Sequence, residues 1–337
     1  MTDTNHPTHL SPSELGTKDY WDTFYARTLA HLSQKQTPTN PNEAQQTQVE
    51  ADEEDDDEDE EEDVDDDSDP GTSWFSEYNA PDKVLRFLTG EEFPLAPVNT
   101  STSGTTEGEG KEGRKEQPSI LDLGTGNGSM LALLRKRGHF RGEMVGVDYS
   151  RASVELARRL QVLRAHEAYL SDSEDEGEDG VEEGDEGKEI RFEEWDILRA
   201  EGWALADADN GGGRSRVDWF PYSRGGFDIV LDKGTFDAVS LSEEVVEDAE
   251  RKDGSGKTIQ RRVCETYPGI ARRTVRKGGF LVVTSCNWTE EELVQWFTRE
   301  SGEEEDRLVV WGRVEYPTFR FGGREGQGVV TVCFQRV

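Results

Sequence analysis

Cysteine is scarce in this 337-residue chain. The only three, Cys264, Cys286 and Cys333, offer neither a disulfide framework nor a metal-ligand spacing. They fit reduced thiols in a cytoplasmic protein. The five histidines (His6, His9, His31, His139 and His166) do not pair at a useful spacing either, so no metal site is expected. Long apolar runs are missing: residues 279–286 are among the longest, against the roughly 20 needed to cross a bilayer. Met1-Thr-Asp-Thr-Asn-His-Pro7 lacks a basic start and an apolar core, so no signal peptide is expected. Basic charge is also short, with 38 Lys and Arg against 73 Asp and Glu, a net of −35. That excludes general affinity for nucleic acid or for an anionic membrane surface.

The acidity is local. Residues 50–69 carry 17 acids and no base, and residues 171–189 carry 11 acids and one base. Without them the chain has 45 acids and 37 bases, an ordinary balance. Four stretches have too little apolar content to offset ordering entropy and read as disordered: 33–72, 91–117, 165–188 and 205–224. Residues 1–12 read as a tail. Helical segments at 17–32 and 79–88 precede a domain at 118–337. Within it strands are expected at 119–123, 143–148, 190–196, 227–232 and 278–285. Helices are expected at 131–137, 151–163, 259–275 (bent or divided by Pro268) and 290–299, with Ser150 and Thr289 as caps. Strand and helix in turn imply an α/β fold, a mostly parallel sheet with helices on both faces. Strands at 307–314 and 328–334, joined by a Gly-rich loop, suggest an antiparallel edge hairpin at its C-terminal end.

Ile120-Leu-Asp-Leu-Gly-Thr-Gly-Asn-Gly128 is the most informative stretch. Its glycine spacing is not the G-x-G-x-x-G of dinucleotide folds. Asp122, inside the strand, would repel a pyrophosphate and attract a cation. S-adenosyl-L-methionine has a sulfonium and an amine but no phosphate, and it fits. Asp148, at the end of the second strand, stands where an acid accepts ribose hydroxyls. Asp196 either accepts from an adenine amino group, with Ile197 on the ring, or ends its strand in an Asx turn. Asp232 ends the fourth strand, beside the expected methyl donor. Lys233 is either a surface charge or a positioning cation. After the fifth strand, Asn287 could bond a substrate amine. Trp288 either walls its channel or packs over the strand end.

Five segments carry a resemblance: Leu15-Gly-Thr-Lys-Asp-Tyr-Trp21, Trp74-Phe75, Asp122-Leu-Gly-Thr-Gly-Asn-Gly128, Asp232-Lys-Gly-Thr-Phe-Asp-Ala238 and Thr284-Ser-Cys-Asn-Trp-Thr289. Together they resemble the fungal and animal protein-lysine methyltransferases that act on elongation factor 1-alpha. The resemblance implies a Rossmann-like, seven-stranded class I methyltransferase. It implies S-adenosyl-L-methionine as cofactor, a protein substrate, and a monomer that binds no nucleic acid or membrane. By it the N-terminal segment folds over the cofactor. The cofactor-binding candidates are Trp21, Asp122, Gly124, Thr125, Gly126, Asn127, Gly128, Asp148, Tyr149, Asp196, Ile197 and Asp232. The catalytic candidates are Asp232, Asn287 and Trp288. A class I methyltransferase with another acceptor, or a non-enzymatic scaffold with acidic loops, are the alternatives.

Overall fold

The apolar run Ile120–Leu123 forms β1, buried along its whole length as expected of a strand covered on both faces. Parallel partners flank it: β2 (Met144–Asp148) on one side and β4 (Phe227–Lys233) on the other. The computed structural model describes residues 7–35, 75, 78–100, 117–164, 189–199, 216–252, 258–299, 306–321 and 324–337. With β3 (Arg191–Glu194), β7 (Val275–Ser285), β8 (Leu308–Val314) and β11 (Val330–Arg336), the sheet has seven strands in the order β3-β2-β1-β4-β7-β11-β8. β11 runs antiparallel to both β7 and β8, and the other pairs of the sheet are parallel. The expected antiparallel pair is therefore present, with β11 inside the sheet and β8 at the edge.

Helices cover both faces. One face carries α1 (Lys18–Lys35), α2 (Ala80–Thr89), α4 (Ser129–Lys136) and α5 (Arg151–Leu163), packed around Leu88, Leu131, Phe140 and Ile229. The other carries α6 (Thr235–Leu241), α7 (Val263–Thr274) and α8 (Glu290–Phe297), around Phe236, Tyr267, Trp288 and Trp296. Ser150 caps α5, and Thr289 caps α8 in a reciprocal box with Glu292. At the foot of β4 the buried Asp228 accepts from Ser119 N and Oγ at 2.8 Å each and pairs with Arg224 and Arg276. This ties β1, β4 and β7 together at the end away from the glycine loop.

Several expected boundaries move. The helix expected at 259–275 begins only at Val263, because Thr258–Arg262 (β6) pairs antiparallel with Val245–Lys252 (β5), and Val275 already belongs to β7. Pro268 does not divide it. The Gly-rich connection before β11 contains a second ribbon, β9 (Thr318–Phe321) with β10 (Arg324–Gln327). Residues 91–100, expected as linker, end in the short helix α3 (Pro97–Thr100) and are anchored by Phe93, buried against Phe280 and Trp311. Residues 216–224 are not linker either, since Trp219 and Phe220 pack on Trp195 and Phe227. In both places one or two aromatics supply enough apolar area to order a polar stretch. Residues 7–12, expected as tail, lie against α7 and α8: the His9 ring stacks on Trp296, and Arg262 donates to the Leu10 carbonyl at 2.8 Å. Residues 33–35, expected as disordered, instead complete α1, and the rest of the expected disordered stretches (1–6, 36–72, 101–116, 165–188 and 205–215) fall outside the described residues.

Candidate active site

Gly124, Gly126 and Gly128 all have positive φ (62°, 58° and 77°), which explains why three glycines occupy alternate positions here. The loop they form is pinned from below. Thr125 N donates to Val147 O at 2.9 Å, and Thr125 Oγ1 donates to Asp122 at 2.8 Å. Gly126 N donates to Asp148 at 3.1 Å, and Gly126 O accepts from Ser153 Oγ at 2.8 Å. Thr235, at the start of α6, donates to Leu123 O at 2.6 Å.

Above this loop lies a cavity of about 380 Å³ at the carboxyl ends of β1 to β4. Of the cofactor candidates, Trp21, Gly124, Thr125, Gly126, Asn127, Asp148, Tyr149, Asp196 and Ile197 line it. Asp122, Gly128 and Asp232 do not. Gly128 faces the helix layer instead, where a side chain would collide with Phe192 and Ala157.

Asp122 and Asp232 are brought near the cavity but turned inward. Asp122 is 3% exposed and spends one oxygen on Thr125. Burial pushes its carboxyl up to about 6. Asp232 is 1% exposed and accepts three hydrogen bonds, from Thr235 N (3.0 Å), Phe236 N (3.1 Å) and the Tyr267 hydroxyl (2.8 Å). It caps α6 from the preceding strand, and burial raises it to about 7. The catalytic candidate Asp232 therefore directs its carboxyl to α6 and Tyr267 and does not line the cavity. Asp148, by contrast, is on the wall, with Ser150 N at 2.9 Å on its other oxygen. Asp196 makes an Asx turn to Leu198 N at 3.0 Å and also lines the cavity.

The residues after β7 divide. Trp288 is core: it stacks on Phe236 at 6.0 Å, and its Nε1 donates to Ser240 Oγ at 3.2 Å. It walls no part of the main cavity. Asn287 is exposed and also off the cavity wall. Both follow Ser285 and Cys286, which are held by the buried Asp237.

The N-terminal segment closes one side. Ser13 N donates to Leu241 O at 3.1 Å, and Gly16 lies so close to the Leu241 backbone that a Cβ would come within 2.2 Å of it. Trp21 is 7% exposed, with its Nε1 on Leu15 O at 2.8 Å. Trp21, Tyr25 and Phe75 then face the cavity. The segment thus packs on the core and borders the cavity at once. Trp74 lies outside the described residues. Tyr25, Thr235 and Lys18 were missed as lining residues by sequence reasoning. The aromatic spacing of α1 was the one signal that pointed toward Tyr25.

The lining chemistry fits a positively charged nucleoside. Asp148, Asp196 and Ile197 all line the cavity. Acids outnumber cations on the wall, which suits a ligand without phosphate. Sheet order, glycine loop and acidic strand ends together define a class I S-adenosylmethionine-dependent methyltransferase.

A family model described as a methyltransferase domain matches residues 114–175. The chain is 31% identical over 325 residues to protein-lysine N-methyltransferase EFM4 of Saccharomyces cerevisiae, covering 96% of both chains. It is 25% identical to human EEF1A lysine methyltransferase 2, covering 97% of this chain and 88% of that one. Among solved structures, N-methyltransferase NodS of Bradyrhizobium japonicum with S-adenosyl-L-homocysteine matches over 79% of this chain and 92% of that one, at 10% identity and a TM-score of 0.39. The chain belongs to the EFM4 family of protein-lysine N-methyltransferases. It is a transferase, and S-adenosylmethionine is its methyl donor.

Proposed function

We propose that this enzyme methylates a lysine side chain of translation elongation factor 1-alpha, acting as a cytoplasmic monomer with no affinity for nucleic acid or membrane. The observation that carries the reading is the end-to-end likeness to EFM4, which covers 96% of each chain and includes the N-terminal segment over the cavity. No helix among the described residues is long and apolar enough to cross a membrane. The donor supplies an activated methyl group, so the protein's work is alignment, exclusion of water and presentation of a neutral amine.

In this reading Asp148 holds the ribose, and Asp196 with Ile197 holds the base. Trp21 and the strap around Gly16 keep water from the sulfonium. Asp122 acts through Thr125, fixing the loop on which the methionyl part lies. Asp232 is a positioning residue: it holds the turn 233–235 beside the methyl group. Asn287 is retained as a contact for the substrate outside the cavity.

Transfer of radiolabelled methyl groups to purified elongation factor 1-alpha tests the reading. Incorporation at lysine in that protein is expected. Labelling of a different protein or a small molecule, with none in the factor, would replace it by another acceptor. Absence of heat on titration with S-adenosylmethionine would favour a scaffold.

A further inference from the structure

S-adenosylmethionine ends in a carboxylate, and a carboxylate leaving water needs a cation or an equivalent donor. The acids at the strand ends cannot provide one. Among the described residues, three cations line the cavity: Lys18, Arg199 and Lys233. They stand at different ends. Lys18 is on the β2 side, where it donates to the Tyr149 carbonyl and lies 4.9 Å from the centroid of that ring. Arg199 is beyond β3, paired with Asp196 at 3.0 Å, and its side chain is 70% exposed. Lys233 is at the tip of β4. Leu123 lies opposite Asp232 in the parallel register, so Lys233 stands beside the point where the glycine loop begins.

The surroundings of Lys233 agree with that placement. Its Nζ lies over the Phe75 ring, 5.2 Å from the centroid. A Cβ on the next residue, Gly234, would lie 3.0 Å from the same ring, so Phe75 packs directly on the turn that carries the lysine. Burial raises the proton affinity of Asp122 and Cys286, and the charge of Lys233 opposes the rise at both. The ammonium is therefore felt at the base of the glycine loop and at the end of β7.

We propose that Lys233 receives the carboxylate at the methionyl end of S-adenosylmethionine, with Phe75 holding the ammonium in place. The assignment depends on the methyl donor and not on the acceptor. It makes Lys233 a specificity residue: a donor lacking the carboxylate would gain nothing from it.

Calorimetry on the full chain tests this with two probes, S-adenosylmethionine and its decarboxylated form. A charge-assisted contact predicts that the wild type prefers the carboxylated probe about ten- to a hundredfold. Lys233→Gln is expected to weaken that probe by the same factor while the decarboxylated one binds unchanged or more tightly. Lys233→Arg should keep part of the preference. Equal weakening of both probes would reduce Lys233 to a structural role and overturn the assignment. So would unchanged affinity in a folded variant. If Lys233→Gln fails to fold, the wild type alone decides: equal affinity for the two probes overturns the proposal. A chain that binds neither probe overturns it together with the donor. Failure to label elongation factor 1-alpha bears on the acceptor alone.

Discussion

Tyr267 donates its hydroxyl to Asp232 across 2.8 Å in the core of the molecule, joining α7 to the end of β4. The other oxygen of Asp232 holds the first two amides of α6. One carboxyl thus connects a core helix to the turn that borders the donor site, without reaching into it. Replacing Tyr267 by Phe removes one donor to a buried acid. It is expected to cost about 1–3 kcal/mol of stability, read by urea unfolding, and to affect KM for the donor less than stability. Asp232→Ala leaves the Tyr267 hydroxyl and two helix amides without their acceptor, so it should lower both the unfolding midpoint and the transfer rate. Wild-type stability in folded Asp232→Ala would contradict the capping role.

The same acid makes a pH prediction. Asp232 is raised to about 7 and Asp122 to about 6, from ordinary values of 3.8. The folded state therefore holds more protons than the unfolded one between about pH 4 and pH 7, and these two groups make stability fall as pH rises through that window. Asp232→Asn removes its share. The stability of the variant relative to wild type should shift in the variant's favour between pH 4 and pH 8. A constant difference across that range would mean that the carboxyl is not perturbed.

Asp148 accepts from Gly126 N and Ser150 N and also faces the cavity. Asp148→Ala should cost donor affinity at least about tenfold, since both the proposed ribose contact and the loop's support are lost. Calorimetry checks the affinity. Circular dichroism should show the helices retained.

Trp21 separates two uses of the N-terminal segment. Trp21→Ala in a folded chain is expected to weaken the donor about tenfold or more, because aromatic cover over the cavity is lost. Unchanged affinity would make α1 a docked helix with no part in closing the site.

Asp237 binds Ser285 Oγ and Cys286 N from the helix opposite them. Asp237→Ala buries an unpaired backbone donor and should destabilise the chain by about 1–3 kcal/mol. Asp237→Asn keeps one acceptor and should recover part of that, as read by thermal unfolding.

The sheet and the glycine loop were legible because their signals are dense. Apolar strands end in glycines, and only glycine readily serves three positive φ values in a row of five residues. The direction of a side chain at a strand end was not legible. Asp148, Asp196 and Asp232 share the same sequence context, yet the first two face the cavity and the third caps a helix. The difference lies in Tyr267, 35 residues away, whose hydroxyl draws one oxygen inward. Trp288 was ambiguous for the same reason: its stacking partner Phe236 belongs to another element. The β5–β6 ribbon escaped notice because Val245-Val-Glu-Asp-Ala-Glu-Arg-Lys252 shows little apolar alternation. Phe93 escaped because a single aromatic in a polar stretch gives no period to read.

The position of β11 has a consequence for how the chain must assemble. β8 is made before β11 but reaches the sheet only through it, since β11 lies between β7 and β8. Until β11 docks, β7 presents an open ladder of unpaired amides and carbonyls on an apolar strand, and β8 has no partner in the sheet. A chain halted at that stage would carry an adhesive edge on β7 that the finished enzyme conceals. A lesion in 330–336 would therefore trap two strands rather than one.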